Sequence, residues 1–167
     1  MGNKATRNWR IGFGMDETND KGLETLKVWQ RSIAFAKEVC LIVLPRLPAD
    51  EKCSLQIQLR RSVQSIPANL AEGYGRYYYL DSVRFCYIAR GSLEETYSHL
   101  RLACELGYIT KADFALLDQA IGELRRMVNG YIGFLKKSKR GAAEPGASHS
   151  IRDAADPPGY TIDDLLP

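Results

Sequence analysis

The chain has 167 residues, of which 45% are hydrophobic and 26% are charged, a composition typical of a soluble globular protein with one substantial core. No run approaches the roughly 20 apolar residues of a membrane span, and the N-terminus lacks the apolar core of a signal peptide, so we expect neither. The four cysteines lack the close spacing of a zinc site or a redox pair, which favours reduced thiols in a cytoplasmic protein.

The net charge of +3 is unevenly distributed along the chain. Residues 24–140 contain 18 Lys/Arg and 12 Asp/Glu, a net charge of +6, whereas residues 141–167 contain one basic and five acidic residues, a net charge of −4. A basic body indicates a polyanionic partner, and a mildly basic solvated surface is the alternative interpretation.

Both ends of the chain lack helical periodicity. Residues 1–23 are rich in glycine and charge and predict a flexible N-terminal arm. Residues 141–167 contain four prolines and three glycines among small and acidic residues, a composition that buries too little apolar surface to offset chain entropy, so we predict a disordered acidic tail. Its last segment, YTIDDLLP, is either a short docking motif or simply part of a polar tail.

Between these ends, residues 24–140 are predicted to form one domain of four helices, because apolar residues recur there at steps of three and four. The first helix is predicted from about Leu26 to Leu44, where prolines follow. The second is predicted from a cap at Asp50 to a stop at Gly73.

The third and fourth predicted helices show the same spacing. The third runs from a cap at Asp81 to Leu106, with Gly107 as its stop. The fourth opens at TKAD, Thr110 to Asp113, which resembles a capping box. It carries a heptad seam of Phe114, Leu117, Ile121, Leu124, Val128, Tyr131 and Leu135. Long helices joined by short turns predict an all-α, antiparallel up-down-up-down four-helix bundle without strands.

Pro67 lies inside the second predicted helix, where a proline costs about 3 kcal/mol because it removes a donor and clashes with the preceding turn. We expect it to kink the helix, with a hydroxyl from Ser62 or Ser65 softening the defect. The neighbouring residues are small, so the bend lets another backbone approach closely. Ligand binding by the same residues is the alternative.

Two of the predicted helices carry a second apolar row beside the row that faces the core. The rows are Val28, Phe35 and Ile42 in the first helix and Ala120, Met127 and Phe134 in the fourth. These rows either widen the core or contact another subunit, since exposed apolar stripes rarely persist on a monomer.

Five segments within residues 24–137 resemble a known family. They are LKVWQRS at 26–32, QLRRSVQSIPANLAEGYGR at 58–76, RFCYIARGSLEET at 84–96, LACELGYIT at 102–110 and RRMVNGYIGFLK at 125–136. Their combination resembles the four-helix-bundle family whose founding members are encoded by intervening sequences in bacterial 23S rRNA genes. That family is similar, more distantly, to the accessory proteins of diversity-generating retroelements.

The resemblance implies a ring-shaped homopentamer with a basic surface that engages nucleic acid and, in the retroelements, a reverse transcriptase. The chain departs from the family pattern after Arg76. A polar, often basic stretch is expected there, and this chain has YYYLDS at 77–82 instead. The departure argues against a simple basic loop at this turn.

The sequence contains no recognisable enzyme motif. The GYGR stretch neither follows a strand nor precedes the lysine of a phosphate-binding loop. The two histidines, His99 and His149, do not suggest a catalytic triad, and Glu95 lies four residues before His99, not the three of a ferritin-like site. We therefore predict a protein without enzymatic activity, metal or cofactor, in which Glu72 and Glu94 form salt bridges with arginines.

The basic residues predict nucleic-acid binding, since the planar guanidinium of arginine suits phosphate. In a ring-shaped oligomer each modest basic patch would be repeated around the axis. Arginines beside the tyrosines at 77–79 pair phosphate contacts with base stacking. The predicted phosphate contacts are Lys27, Arg31, Arg60, Arg61, Arg76 and Arg84. Salt bridges are the alternative for Arg60, Arg61 and Arg90. A protein-interaction scaffold that uses apolar faces or the acidic tail is the alternative for the whole protein, and RNA is favoured over DNA as the partner.

Overall fold

The computed structural model describes residues 22–143, so the predicted arm and tail, with His149 and the YTIDDLLP segment, lie almost entirely outside the described residues. The described part is all-α. Its four long helices are α1 (Lys27–Glu38), α2 (Leu55–Tyr74), α3 (Tyr79–Glu105) and α4 (Lys111–Ser138). Between residues 22 and 143 there is no strand, and no helix has the length and apolar character needed to cross a membrane.

The first two predicted helices have somewhat different ends from those observed. α1 continues as a π-helical turn (Val39–Val43) and a 3-10 turn (Leu44–Arg46), so the helical segment ends at its prolines as predicted. Asp50 does not cap α2, because Ala49–Cys53 forms a separate 3-10 turn. Gly73 does not stop α2, which continues past it.

The ends of α3 and the start of α4 follow the predicted turn chemistry. α3 begins two residues early, so Asp81 lies in its first turn instead of at its cap. Gly107, just after α3, has a φ of +76°, a left-handed conformation that favours glycine. The capping box of α4 is confirmed: the Thr110 hydroxyl accepts from the Asp113 N–H at 3.0 Å, and the Asp113 carboxylate accepts from the Thr110 N–H at 3.3 Å.

The heptad seam of α4 faces the core as predicted. Its first five residues, from Phe114 to Val128, are buried, and Tyr131 and Leu135 are partly buried against the same core. Ile132 is also buried, a core position outside the predicted seam. The core is therefore continuous along nearly the whole length of α4.

The contact between α2 and α3 is the most extensive in the fold and contains a seam of hydroxyl groups. Thr96 donates to the Ser62 hydroxyl at 3.0 Å, and Ser92 donates to the Ser65 hydroxyl at 2.9 Å. The later residue of α2 thus meets the earlier residue of α3, so the two helices run in opposite directions. Small hydroxyl side chains satisfy one another here and let the backbones approach.

α2 packs closely against the start of α3 at Gly73. A Cβ atom at this position would lie 3.0 Å from the Cβ of Phe85 and 3.0 Å from the carbonyl oxygen of Ser82. The glycine is required by packing against the neighbouring helix, and it does not act as a helix stop.

Pro67 is buried within α2, and the helix is continuous through it. The bend at this proline stays a prediction. The Ser62 hydroxyl donates to the Leu59 carbonyl at 3.1 Å, so it is engaged one turn before the Val63 carbonyl that Pro67 leaves without its usual donor.

Charged pairs join α4 to the other helices. Arg125 donates two hydrogen bonds to Glu94 of α3, at 2.7 and 2.8 Å, which confirms the predicted pairing of Glu94 with an arginine. Arg46, just after α1, binds Asp113 at 2.7 Å. These pairs fix α4 against α3 and against the end of the α1 segment.

Candidate nucleic-acid interface

A cavity of about 380 Å³ opens where α2 ends, α3 begins and α4 ends. Aromatic and cationic side chains dominate its walls, and this combination suits a planar, negatively charged ligand. The lining residues are Gly73, Tyr74, Arg76, Tyr77, Tyr79, Ser82, Tyr131, Phe134, Leu135, Ser138 and Arg140. Three separate parts of the chain converge on this one concave surface.

The rings in and beside the cavity are ordered by contacts with one another. The Tyr131 and Phe134 rings are nearly parallel, with an interplanar angle of 13° and centroids 6.3 Å apart. Tyr77 meets Tyr78 edge to face at 5.3 Å. The guanidinium of Arg140 lies 5.3 Å from the centroid of the Tyr77 ring, a cation–π contact.

Backbone contacts hold the end of α4 against the turn between α2 and α3. The carbonyl of Arg140 accepts a hydrogen bond from the N–H of Tyr79 at 3.1 Å. Gly141 has a φ of +80°, and a Cβ there would lie 2.8 Å from the ring of Tyr78. Lys139 caps α4 in the left-handed conformation, with a φ of 46°. The walls of the cavity are therefore held by secondary structure and by a backbone hydrogen bond.

The C-terminal half of α4 and the five residues directly after it carry only positive charge. Residues 124–143 contain six Lys/Arg and no Asp or Glu, and four of the six lie within 136–140. The end of the α2 segment contributes Arg76, which binds Glu72 and lies 4.9 Å from the centroid of the Phe85 ring. The cavity thus lies at the cationic end of the molecule.

A second cavity, of about 430 Å³, shares Tyr74 and Tyr131 with the first and contains Lys27 and Met127. The structure therefore brings two predicted phosphate contacts, Lys27 and Arg76, to adjacent cavities. Burial raises the pKa of the Tyr131 hydroxyl to about 12.

The other predicted phosphate contacts lie elsewhere. Arg31 binds Glu123 of α4 at 2.9 Å and lies 3.7 Å from Glu38. Arg60 and Arg61 are exposed on α2, roughly 20 Å along the helix from its last residue, Tyr74, which Arg76 follows. The remaining one, Arg84, is exposed near the start of α3.

Within residues 22–143, the structure shows whether the arginines for which salt bridges are the alternative pair with a carboxylate. Arg60, Arg61 and Arg84 have no carboxylate partner there, so the salt-bridge alternative is not observed for the first two. Arg90 binds the Asn129 amide at 3.1 Å and lies over the Tyr87 ring.

The six residues predicted for the oligomer interface differ in how far they are buried within the chain. Val28, Phe35 and Ala120 are buried in the core of the chain itself, as the core-widening alternative predicts. Met127 is partly buried, whereas Ile42 and Phe134 are 50% and 65% exposed. Of the six, only these last two are open on the surface. Ile42, in the π-helical turn after α1, borders a cavity of about 200 Å³ with Leu116 of the first half of α4, whereas Phe134 lies in the last turns of α4.

The predicted absence of a metal site concerned Glu95 and His99 on α3. The carboxylate of Glu95 lies 3.6 Å from the His99 imidazole, and the described residues hold no group of three or more metal-ligating side chains. This pair is therefore an ordinary contact between successive helical turns.

Comparison with known proteins gives one family match. The model of the 23S rRNA-intervening sequence protein family matches residues 24–130. The chain belongs to this family. No curated protein matches the chain. Among solved structures, a protein of unknown function from the S23 ribosomal protein family of Bacteroides thetaiotaomicron VPI-5482 matches with a TM-score of 0.57 and 24% identity, covering 63% of this chain and 97% of that one. This likeness concerns the fold alone.

The structure gives the motifs of this 23S rRNA-intervening sequence protein family member a packing role. The serines of the SIPAN and GSLEE stretches, Ser65 and Ser92, meet across α2 and α3, and Gly73 of AEGYGR packs closely against α3. In contrast, Tyr77 and Tyr79 of the aromatic stretch at 77–79 line the cavity. Sequence reasoning missed Tyr131 and Arg140 as parts of this site, although the cationic run beside Arg140 was visible.

Proposed function

We propose that the chain is a non-enzymatic, oligomeric nucleic-acid-binding module for structured RNA or an RNA–protein assembly. One observation carries the proposal: the cationic end of the molecule, where Arg76 and Arg140 border an aromatic cavity and residues 124–143 contain no acid. Nucleic-acid affinity depends mainly on phosphate contacts, and aromatic planes add stacking. Because the family name refers to intervening sequences of 23S rRNA, RNA is the partner that we propose to test before DNA.

Exposed arginines outside the cavity extend this surface. Arg60, Arg61 and Arg84 have no carboxylate partner among the described residues, so contact with phosphate requires no ion pair to open. Arg31 is different, because phosphate must compete with Glu123. We therefore rank Arg60 and Arg61 above Arg31 as phosphate contacts.

A salt series tests the proposal. Binding of a fluorescent RNA should weaken by orders of magnitude between about 50 and 200 mM salt. The double variant Arg60→Gln/Arg61→Gln should reduce the slope of log K against log salt by about 1.4 for single strands, the value expected for two lost contacts. Absence of RNA binding at low salt would overturn the proposal.

The matched control removes the same charge from paired arginines. Arg46→Gln/Arg101→Gln lowers the net charge equally, but these side chains are engaged by Asp113 and Glu105. We expect a smaller change in slope for this control. Equal slopes in both double variants would mean that net charge, and not the α2 surface, governs binding.

The proposal includes assembly. We propose that the four helices form an antiparallel up-down-up-down bundle and that bundles associate as a homo-oligomer, a pentamer by family analogy. Of the six predicted interface residues, Ile42 and Phe134 remain open on the chain, and we propose that Ile42 makes the subunit contact while Phe134 stays accessible in the aromatic cavity. Sedimentation equilibrium of the full chain should give a multiple of the 18.8 kDa monomer mass, and a monomer would refute this part.

A protein-interaction scaffold is the second candidate, with a reverse transcriptase as one possible partner. The observation that favours it is the apolar surface around the smaller cavity, where Ile42 and Leu116 are 50% and 69% exposed. Binding through this surface should change little with salt, which separates it from phosphate binding. Leu116→Glu should abolish binding of a protein partner through this surface and leave RNA binding intact.

A further inference from the structure

The aromatic cavity differs from an ordinary phosphate-binding surface because it exposes ring faces as well as charge. Phe134 is 65% exposed although it lies on a helix whose other large apolar residues mostly face the core. Its ring is nearly parallel to Tyr131, so the pair forms a two-ring platform on one wall. A planar aromatic ligand can extend this stack.

Two guanidiniums share the cavity with the platform. Arg140 lies over the Tyr77 ring, and Arg76, bound to Glu72, also lines the cavity. A base stacked on Phe134 would lie in the same cavity as both guanidiniums. Among residues 22–143, Glu72 is the one carboxylate that phosphate must displace from Arg76.

The shape of the site selects against a duplex. The cavity is concave and encloses about 380 Å³, which is within the roughly 300–1,000 Å³ of small-ligand pockets. A base inside a helix is stacked on its neighbours and cannot enter, whereas unpaired bases in loops or single strands stack readily on aromatic side chains.

We propose that this cavity binds one unpaired nucleobase of a single-stranded RNA segment, with the base stacked on Phe134 and its phosphate held by Arg76 and Arg140. This inference rests on the proposed function and specifies it. It makes an unpaired loop or single strand, and not the double-helical part of a structured RNA, the element that is recognised.

The test compares a single-stranded RNA of about 12 nucleotides with the duplex of the same sequence, by fluorescence anisotropy with the full chain at one salt concentration. The parent protein should prefer the single strand. Phe134→Ala should weaken single-strand binding by about 5- to 150-fold, the range for loss of one stacked base, and leave duplex binding unchanged.

Two further variants separate stacking from other roles of Phe134. Phe134→Tyr keeps the ring and should bind like the parent, whereas Phe134→Leu keeps an apolar side chain but should bind like Phe134→Ala. Leu116→Ala is the matched control, because Leu116 is equally exposed on the same helix, about 27 Å away. It should leave binding unchanged.

Several outcomes would overturn the inference. Equal binding of single strand and duplex, both unaffected by Phe134→Ala, would refute base stacking and leave the proposed function standing. Failure of either RNA to bind would refute the proposed function itself. Parallel loss of single-strand binding, duplex binding and oligomer mass in Phe134→Ala would show that this residue acts through assembly.

Competition with a free mononucleotide shows whether the cavity binds a base within an RNA strand or a free nucleotide. Adenosine monophosphate should displace the labelled strand only weakly, because it lacks the neighbouring phosphates that reach the cationic surface. Displacement at concentrations as low as those of the unlabelled strand would identify a free nucleotide as the ligand and refute the single-strand assignment.

Discussion

Two glycines in this chain have opposite structural requirements. A methyl group at Gly73 would lie 3.0 Å from a backbone carbonyl of α3, whereas a methyl group at Gly91 would meet nothing within 4 Å. Glycine within a helix costs roughly 0.5–1 kcal/mol relative to alanine. At Gly73 the cost is offset, because the missing side chain lets α2 and α3 pack closely. At Gly91 no contact within the described residues requires glycine, so the cost is not offset there.

Alanine substitutions at these two positions should change stability in opposite directions. Gly73→Ala should lower the free energy of unfolding, because overpacking against rigid backbone costs about 1–3 kcal/mol. Gly91→Ala should raise it by about 0.5–1 kcal/mol. Urea unfolding followed by circular dichroism, at one protein concentration, measures both. Stabilisation by Gly73→Ala would contradict the close approach of the two helices.

The roles of these glycines show where sequence reasoning is limited at the scale of a residue. A glycine near the end of an apolar stripe predicts a helix stop, and Gly107 fulfils that role with its positive φ. Gly73 has a similar sequence context but is required by contact with a neighbouring helix. Such a requirement depends on long-range packing, which local spacing does not encode.

At the scale of an element, the start of α4 is the feature best predicted by the sequence. The TKAD motif and the heptad seam are local patterns, and both are observed. The motif does more than cap the helix, because the Asp113 carboxylate also accepts a hydrogen bond from Arg46 at 2.7 Å. That contact joins positions 67 residues apart and could not be predicted from spacing.

The capping box should make the stability of the protein depend on pH. Hydrogen bonds from Thr110, with a smaller contribution from the charge of Arg46, lower the pKa of Asp113 from its ordinary value of 3.8. A carboxyl group with a lowered pKa in the folded state stabilises it at neutral pH. This stabilisation is lost as the pH falls below about 4 and the folded-state carboxylate becomes protonated.

Asp113→Asn isolates this effect, because asparagine keeps an acceptor for the Thr110 N–H but does not titrate. The variant should be less stable than the parent at about pH 7, and the difference should shrink at about pH 3. Urea unfolding at the two pH values measures it. A difference that stays constant with pH would mean that the carboxylate charge contributes nothing to the cap.

The α2 helix shows the opposite case, because its strong local pattern does not determine which helix packs against it. The bend at Pro67 stays a prediction, while the helix is continuous through this residue and small hydroxyl residues around it pair with α3. The sequence correctly indicated close approach of another backbone at this segment. It could not indicate which helix approaches, because Ser92 and Thr96 lie about 30 residues further along the chain.

At the scale of the whole molecule, the candidate site depends on three chain segments that are distant in sequence. The tyrosines at 77–79 were predicted to stack bases beside Arg76, and the cavity contains two of them with Arg76. Tyr131, Phe134 and Arg140 join them only because α4 returns to the turn between α2 and α3. The helical period predicts that Tyr131 faces the core, but it does not predict which turn of the chain the end of α4 contacts.

Charge at this scale leads to a prediction about the acidic segment that follows α4. Residues 144–167 contain five acids and one arginine, and they follow directly in sequence on the cationic segment at the end of α4. Removing them raises the net charge from +3 to +7, since this segment carries −4. Negative charge tethered near a cationic site repels an incoming polyanion, so the segment should weaken RNA binding.

A chain ending at residue 143 should therefore bind single-stranded RNA more tightly than the full chain at about 50 mM salt, by on the order of tenfold. The advantage should shrink toward about 200 mM, because screening shortens the reach of the tethered charge. The control is the full-length chain with the five acids replaced by their amides, which removes charge but keeps length. If the amide chain binds like the parent while the shortened chain binds more tightly, the segment acts by steric exclusion, and the electrostatic explanation is wrong.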